Sequence, residues 1–227
     1  MSDLRRLIAE RPCLLLDFDG PVCAVFAGIS SRHVAEQLGA AMGVTLPDHL
    51  GATSDPFELL QYAAQISDDV AVATERELAR LEVEAVAVAT PTPHAHDVIR
   101  EAAGRDGGSV AIVSNNSVAA VAAYLRTHGL QTYVSGIYAR TSAATPLKPS
   151  PHLLEAALAG LRTNARTASF TGDSVTDLLA ADSATLPAIA YANKPGKVER
   201  FAPFTPAVTI TSMSALLDAV RGESISQ

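Results

Sequence analysis

The chain has 227 residues, 48% of them hydrophobic and 18% charged, enough to bury one substantial core or a core with a smaller companion. A formal net charge of -7, with no basic run longer than Arg5-Arg6, argues against a polyanion-binding surface and so against nucleic acid as a partner. With no apolar stretch long enough to span a bilayer, no basic-then-apolar leader, and only Cys13 and Cys23 as cysteines, the expectation is a reduced, cytoplasmic protein without a membrane partner.

In chain order, Cys13-Leu-Leu-Leu-Asp-Phe-Asp19-Gly20 reads as a short strand buried on both faces and stopped by carboxylates and a glycine. Residues 27–91 follow with helical patterns over 31–42, 56–66 and 70–89 and no convincing strand, ending in the stiff Thr90-Pro91-Thr92-Pro93 connector. Three helical patterns without an intervening strand break the alternation of the rest. The expected division is therefore an α/β core of residues 1–26 and 92–227, with 27–91 as a small inserted helical cap. Further strands are expected at 109–114, 132–138, 167–172, 186–191 and 207–210, separated by helical patterns at 118–125, 153–158 and 177–181. That alternation predicts a Rossmann-like parallel sheet with helices on both faces. The tail 223–227 is expected to fray.

Ligands of an open parallel sheet sit at the carboxyl ends of its strands, so what each run ends with is informative. The first ends in Asp17 and Asp19, alternate residues that share a face of an extended chain. The second ends in Ser114-Asn115-Asn116, and a later run ends in Thr171-Gly172-Asp173 with Asp177 one helical turn on. Two like charges about 4 Å apart repel by roughly 4 kcal/mol at an effective dielectric near 20, so four gathered carboxylates require a cation, protons or both. Oxygen donors without a histidine cluster favour a hard divalent ion, and Mg2+ suits carboxylates, water and a phosphate. Donors for a phosphate are Ser114, the backbone N–H that follows it, and Lys148, one of only three lysines. Lys148 lies in a stretch stiffened by Pro146, Pro149 and Pro151, where Ser150 can cap the following helix.

The order Asp-Phe-Asp-Gly, Ser-Asn after a strand, Lys-Pro, then Gly-Asp-Ser-x-x-Asp resembles the four motifs of the haloacid dehalogenase superfamily, with a helical cap after the first motif as in its phosphoglycolate phosphatase-like branch. The resemblance runs over about residues 11–221. It implies a phosphatase acting on a small phosphorylated metabolite, with Asp17 as the nucleophile and Asp19 as general acid and then base. It also implies Mg2+ held by Asp17, the backbone carbonyl of Asp19 and Asp173, with Asp177 a further ligand or a partner of the ligands. Ser114, the Asn115 amide and Lys148 would hold the phosphoryl oxygens. One departure is Pro21, which has no N–H to offer where family members usually have one.

Competing readings are a phosphomutase acting on a sugar phosphate, which shares all four motifs, and a catalytically idle binding protein, which would be expected to have lost an aspartate or the lysine. A dehalogenase lacks the second acid, and Asp19 is present. His94 and His96 read as hinge or surface histidines, Cys23 as a buried filler, and Lys194 as a solvated lysine. Arg32, His33, Asp55 and Gln61 are the candidates for meeting the leaving group, and either a monomer or a homodimer is expected.

Overall fold

A computed structural model describes residues 3–222, so the tail 223–227 lies outside the described residues. After α1 (Asp3–Glu10), β1 (Cys13–Leu16) and β2 (Cys23–Ala24) come four helices: α2 (Ser31–Ala41), α3 (Asp48–Gly51), α4 (Pro56–Ile66) and α5 (Asp68–Ala87). Then follow β3 (Thr90–Pro91), α6 (Ala95–Gly104), β4 (Ser109–Ser117), α7 (Val118–Thr127), β5 (Gly136–Arg140) and α8 (His152–Gly160). The chain continues through β6 (Ala168–Gly172), α9 (Val175–Ser183), β7 (Ala188–Tyr191), α10 (Lys197–Phe201), β8 (Val208–Ile210) and α11 (Met213–Arg221).

Six strands form one parallel sheet in the order β5-β4-β1-β6-β7-β8. The central strand β1 is apolar throughout because both its faces are covered. Leu14 and Leu16 join the cluster that contains Ile99, Val121 and Leu216, while Cys13 and Leu15 point the other way toward Leu154, Leu178 and Phe201. The chain builds outward from β1 through β4 and β5, then crosses back to place β6 on the other side of β1. This reversal opens the crevice at the carboxyl end of β1, where strand ends from both halves converge. No helix among the described residues is long and apolar enough to cross a membrane.

Helices α2 to α5 share a separate apolar cluster built from Val34, Leu38, Leu50, Leu59, Leu60, Leu78 and Leu81. Their starts are locally encoded: Ser30, Asp55 and Ser67 each accept a hydrogen bond from a backbone N–H of the first turn, and Pro56 occupies a position where no N–H is needed.

Three expectations are corrected in detail. The interval expected to lack strands ends in β3, whose two residues pair antiparallel with β2 so that both connectors to the four helices are tied together. The segment expected at 132–138 begins as a single 3-10 turn at Gln131–Tyr133 and becomes strand only at Gly136–Arg140, because pairing starts where Ser135 N–H reaches the Val110 carbonyl. Ser150 does not occupy the cap position of α8, which Pro151 takes; the Ser150 hydroxyl accepts the His152 N–H one residue further in.

Candidate active site

A cavity of about 320 Å3 lies at the carboxyl ends of β1, β4 and β6 and is lined by Asp17, Asp19, Ser114, Asn115, Lys148, Asp173 and Asp177. The seven core residues expected to act in catalysis or in phosphate and metal binding therefore share its wall. Asp55, Phe57 and Gln61 close the cavity from α4, joined by Leu147 and Thr176. A larger, shallow depression lies at the opposite end of the sheet around Arg11, Asn164 and Thr185, and Asp182 is the single carboxylate that lines it.

Lys148 organises the centre. Its Nζ donates to Asp17 Oδ1 and Asp177 Oδ1, both at 2.6 Å, and to the Val113 carbonyl at 3.3 Å. Burial works against the ammonium, but Asp17 and Asp177 more than offset it and hold Lys148 above its usual range. The loop carrying Lys148 is fixed by the Asn115 side chain, whose Oδ1 accepts the Lys148 N–H at 2.8 Å while its Nδ2 donates to the Lys148 carbonyl at 3.2 Å. The Asn115 side chain is thus spent on the backbone of Lys148, and only its backbone amide is left for a phosphate. Ser114 is fully buried, with its hydroxyl donating to Asn116 Oδ1 at 3.2 Å. Asn115 and Asn116 form a bulge in β4, since Ser114 pairs with Ala139 and Ser117 with Arg140. Two residues without partners turn the strand end toward the cavity.

Asp17, Asp173 and Asp177 each offer a carboxylate oxygen within 4.8 Å of the others. Burial, and then the Asp177 charge, push Asp17 well above the ordinary carboxylate range, against the opposing pull of Lys148. Asp173 Oδ2 is held by Lys197 Nζ at 2.6 Å and Asn193 Nδ2 at 3.1 Å. Asp177 is saturated: it accepts from the Asp173 and Ser174 N–H groups, the Ser174 hydroxyl and Lys148, completing the capping box of α9. The Asp19 carboxylate stands apart from these three and accepts the Val25 N–H at 2.9 Å. Its pKa is pushed up to about 6, chiefly by burial. Two glycines make room for this arrangement. A Cβ on Gly20, whose φ of +106° already disfavours one, would fall on the Asp173 carboxyl group, and one on Gly172 would strike the Asp177 side chain.

Oxygen donors only, and four carboxylates facing the two ammoniums of Lys148 and Lys197, are the donor set and charge of a site for a hard divalent cation. Asp17, Asp173 and Asp177 are the side chains whose carboxylate oxygens lie close enough together to share such an ion.

A sequence profile of the haloacid dehalogenase-like hydrolases matches residues 14–185, which is most of the chain. The chain belongs to that family. Among solved structures this hydrolase is similar to a subfamily IA hydrolase of Geobacter sulfurreducens, at 22% identity with 93% of this chain and 97% of that one covered and a TM-score of 0.62. CbbY of Rhodobacter sphaeroides, solved with phosphate, has 22% identity, coverage of 93% and 99%, and a TM-score of 0.69. A predicted phosphatase of Clostridium acetobutylicum has 13% identity, coverage of 92% and 98%, and a TM-score of 0.72. At these identities the likeness establishes a shared fold. No curated protein matches the chain.

Several residues of this hydrolase escaped the reading of its sequence. Glu75 and Glu82 on α5 and Arg140 at the end of β5 form a buried network: Arg140 Nε donates to Glu75 at 2.6 Å, and Nη1 and Nη2 donate to the two oxygens of Glu82 at 3.1 and 2.9 Å. Arg140 also donates to the Asn115 carbonyl at 2.7 Å, while Glu82 accepts from Asn116 Nδ2 and Ser117 N–H. The bulge that carries Ser114 is therefore held from behind by α5. The signal was present, since Glu75, Leu78, Glu82 and Ala85 lie on one helical stripe and all are buried. Lys197, rather than Lys194, reaches the aspartates. Arg32 and His33 are exposed and bond to Glu36 and Gln37 on their own helix, away from the cavity, whereas Asp55 and Gln61 line it. His96 is half-buried against Tyr124 and His128, and Cys23 is fully buried.

Proposed function

We propose that this hydrolase is a Mg2+-dependent phosphatase that cleaves a small phosphorylated metabolite through an aspartyl-phosphate on Asp17. Residues 1–26 and 92–227 act as the catalytic core and 27–91 as a helical cap over it. The observation that carries the reading is Lys148, buried between Asp17 and Asp177 at 2.6 Å from each, on a strand-end platform that also gathers Asp19, Ser114 and Asp173. A cation fixed beside a carboxylate that is itself aimed into a cavity is suited to holding an anionic group against a nucleophile.

In this reading the free oxygen of Asp17 attacks phosphorus while Lys148 and Ser114 hold the phosphoryl oxygens. Asp19, with a pKa of about 6, retains a proton in a useful share of molecules near neutrality and delivers it to the leaving alcohol oxygen. The resulting Asp19 carboxylate then takes a proton from the water that attacks the aspartyl-phosphate, releasing phosphate and restoring Asp17. Mg2+ held by Asp17, Asp173 and the Asp19 carbonyl would supply neutralising charge for the phosphoryl oxygens. Asp177 positions Lys148. The cavity of about 320 Å3 is near the lower limit for small-molecule sites, which favours a compact substrate over a macromolecule.

The test is Asp17→Asn, which keeps shape and removes the nucleophile. Phosphate release from p-nitrophenyl phosphate with Mg2+ should fall by several orders of magnitude while the circular dichroism spectrum is preserved. Turnover near the starting rate in the variant would overturn the assignment.

A further inference from the structure

Beyond the strand-end groups, the cavity wall is completed by Asp55, Phe57 and Gln61 of the helical segment with Leu147 and Thr176. Its charge is unusual for a site that must admit a phosphate ester. Each buried or half-buried cation nearby is already committed: Lys148 to Asp17 and Asp177, Lys197 to Asp173, and Arg140, which lies 5.5 Å from the centre of the Phe57 ring, to Glu75 and Glu82. Lys194 is exposed on the loop after β7 and acts on Asp19 through space without lining the cavity. Asp55 is the one ionisable group that α4 presents to the cavity. Its Oδ1 caps α4 by accepting the Phe57 N–H at 2.9 Å, and among the described residues no donor is bonded to its Oδ2. The remaining polar groups, the Gln61 amide and the Thr176 hydroxyl, are neutral and suit hydroxyl or amine partners.

We propose that this wall selects phosphate esters whose alcohol part carries no negative charge, and favours an ammonium there, with Asp55 as the discriminating residue. The inference rests on the phosphatase reading and names its substrate class: small phosphorylated amino alcohols first, uncharged polyols next, and esters whose alcohol bears a carboxylate or a second phosphate last. A leaving group with a carboxylate would face Asp55 with no uncommitted cation in the wall to offset the repulsion. At a solvent-facing distance of about 4 Å each sign of interaction changes affinity by roughly fivefold, so ammonium and carboxylate esters of equal size should differ by about tenfold or more in kcat/KM.

The experiment compares phosphoethanolamine, glycerol 3-phosphate and 2-phosphoglycolate, all small, in the native enzyme with Mg2+ and in Asp55→Asn, with p-nitrophenyl phosphate as the reference for each protein. Asparagine keeps the helix cap and removes the charge. The native ratio of phosphoethanolamine to phosphoglycolate should be about tenfold or more and should shrink to within about threefold in Asp55→Asn. Gln61→Lys, on an exposed position of the same helix, should shift the ratio toward phosphoglycolate and serves if the asparagine variant folds poorly. A native ratio near one or in favour of phosphoglycolate, or a ratio that neither variant moves, overturns the inference while leaving a phosphatase. Phosphate release from none of the four esters, the aryl phosphate included, overturns the phosphatase reading and the inference with it.

Discussion

Replacing Arg140 with methionine removes a guanidinium whose side chain is 0% exposed and which faces Glu82, also 0% exposed, and Glu75 at 12%. Methionine can fill much of the space but offers no donor. Glu82 would keep the Asn116 and Ser117 hydrogen bonds and lose its only counter-charge among the described residues. Removing one member of a buried pair costs about 3–5 kcal/mol, because the charge left behind cannot reach water. Against a total stability of about 5–15 kcal/mol for a domain, that is about a fifth or more. Urea unfolding followed by circular dichroism should show the midpoint falling by an amount equivalent to this loss at unchanged m-value. The double variant Arg140→Met, Glu82→Gln removes both charges while an amide oxygen can still accept the Ser117 N–H. It should recover a substantial part of the loss, so the cycle gives a coupling above about 1 kcal/mol. A single-variant cost below about 1 kcal/mol, or a double variant no more stable than the single, would refute the claim that the network is a mutually dependent buried ion cluster.

Three further outcomes are expected. Millimolar Mg2+ should raise the Tm, by mass action worth about 2.7 kcal/mol at a hundred times the dissociation constant, and Asp173→Ala should erase that increment; a native Tm indifferent to Mg2+ counts against the site. Gly20→Ala should weaken the Mg2+-dependent Tm shift, because its Cβ displaces the Asp173 carboxyl group; a titration with the same midpoint as the native protein would show that the glycine is not needed there. Burial, and then the charge of His128, lower the pKa of His96, with Arg100 adding to the effect and Asp97 opposing it. The unfolded chain therefore binds a proton at this position more readily, and stability should fall as pH drops below about 6.5. His96→Phe, which keeps a ring against Tyr124, should flatten the Tm profile between pH 7.5 and 5; an unchanged slope would place the titration elsewhere.

The parts of this protein that could be read from its sequence are those whose cause is local. Leu14, Leu15 and Leu16 announce a strand covered on both faces because each face needs its own apolar residue, and the two clusters divide them in that alternation. Ser30, Asp55 and Ser67 mark helix starts because a side-chain oxygen satisfies a neighbouring N–H. Where the cause is not local, the residues alone do not predict the element. Tyr133 and Val134 have strand-like side chains, yet β5 starts at Gly136 because its partner is β4, and the register is set by Ser135 meeting Val110. Thr90 and Pro91 look like a connector, and only the approach of Cys23 and Ala24 makes them a strand.

The site divides along the same line. Asp17, Ser114, Lys148 and Asp173 lie at strand ends or on a proline-stiffened loop, so the fold class alone carries them to one crevice even though Lys148 and Asp17 are 131 positions apart. Glu82 and Arg140, 58 positions apart, had no such guide, because a charged residue on a helix is usually solvated and each looks unremarkable without the other. Yet burying two glutamates and an arginine carries a desolvation penalty that a well-packed apolar core would avoid. What the arrangement secures here is position. Glu82 and Arg140 between them bond Asn115, Asn116 and Ser117, and Asn115 in turn bonds the backbone of Lys148, so a continuous chain of hydrogen bonds runs from α5 to the ammonium between Asp17 and Asp177. The helical segment that supplies Asp55 to the cavity thereby also fixes the bulge next to Ser114, because its α5 is held to the end of β5 by buried charge.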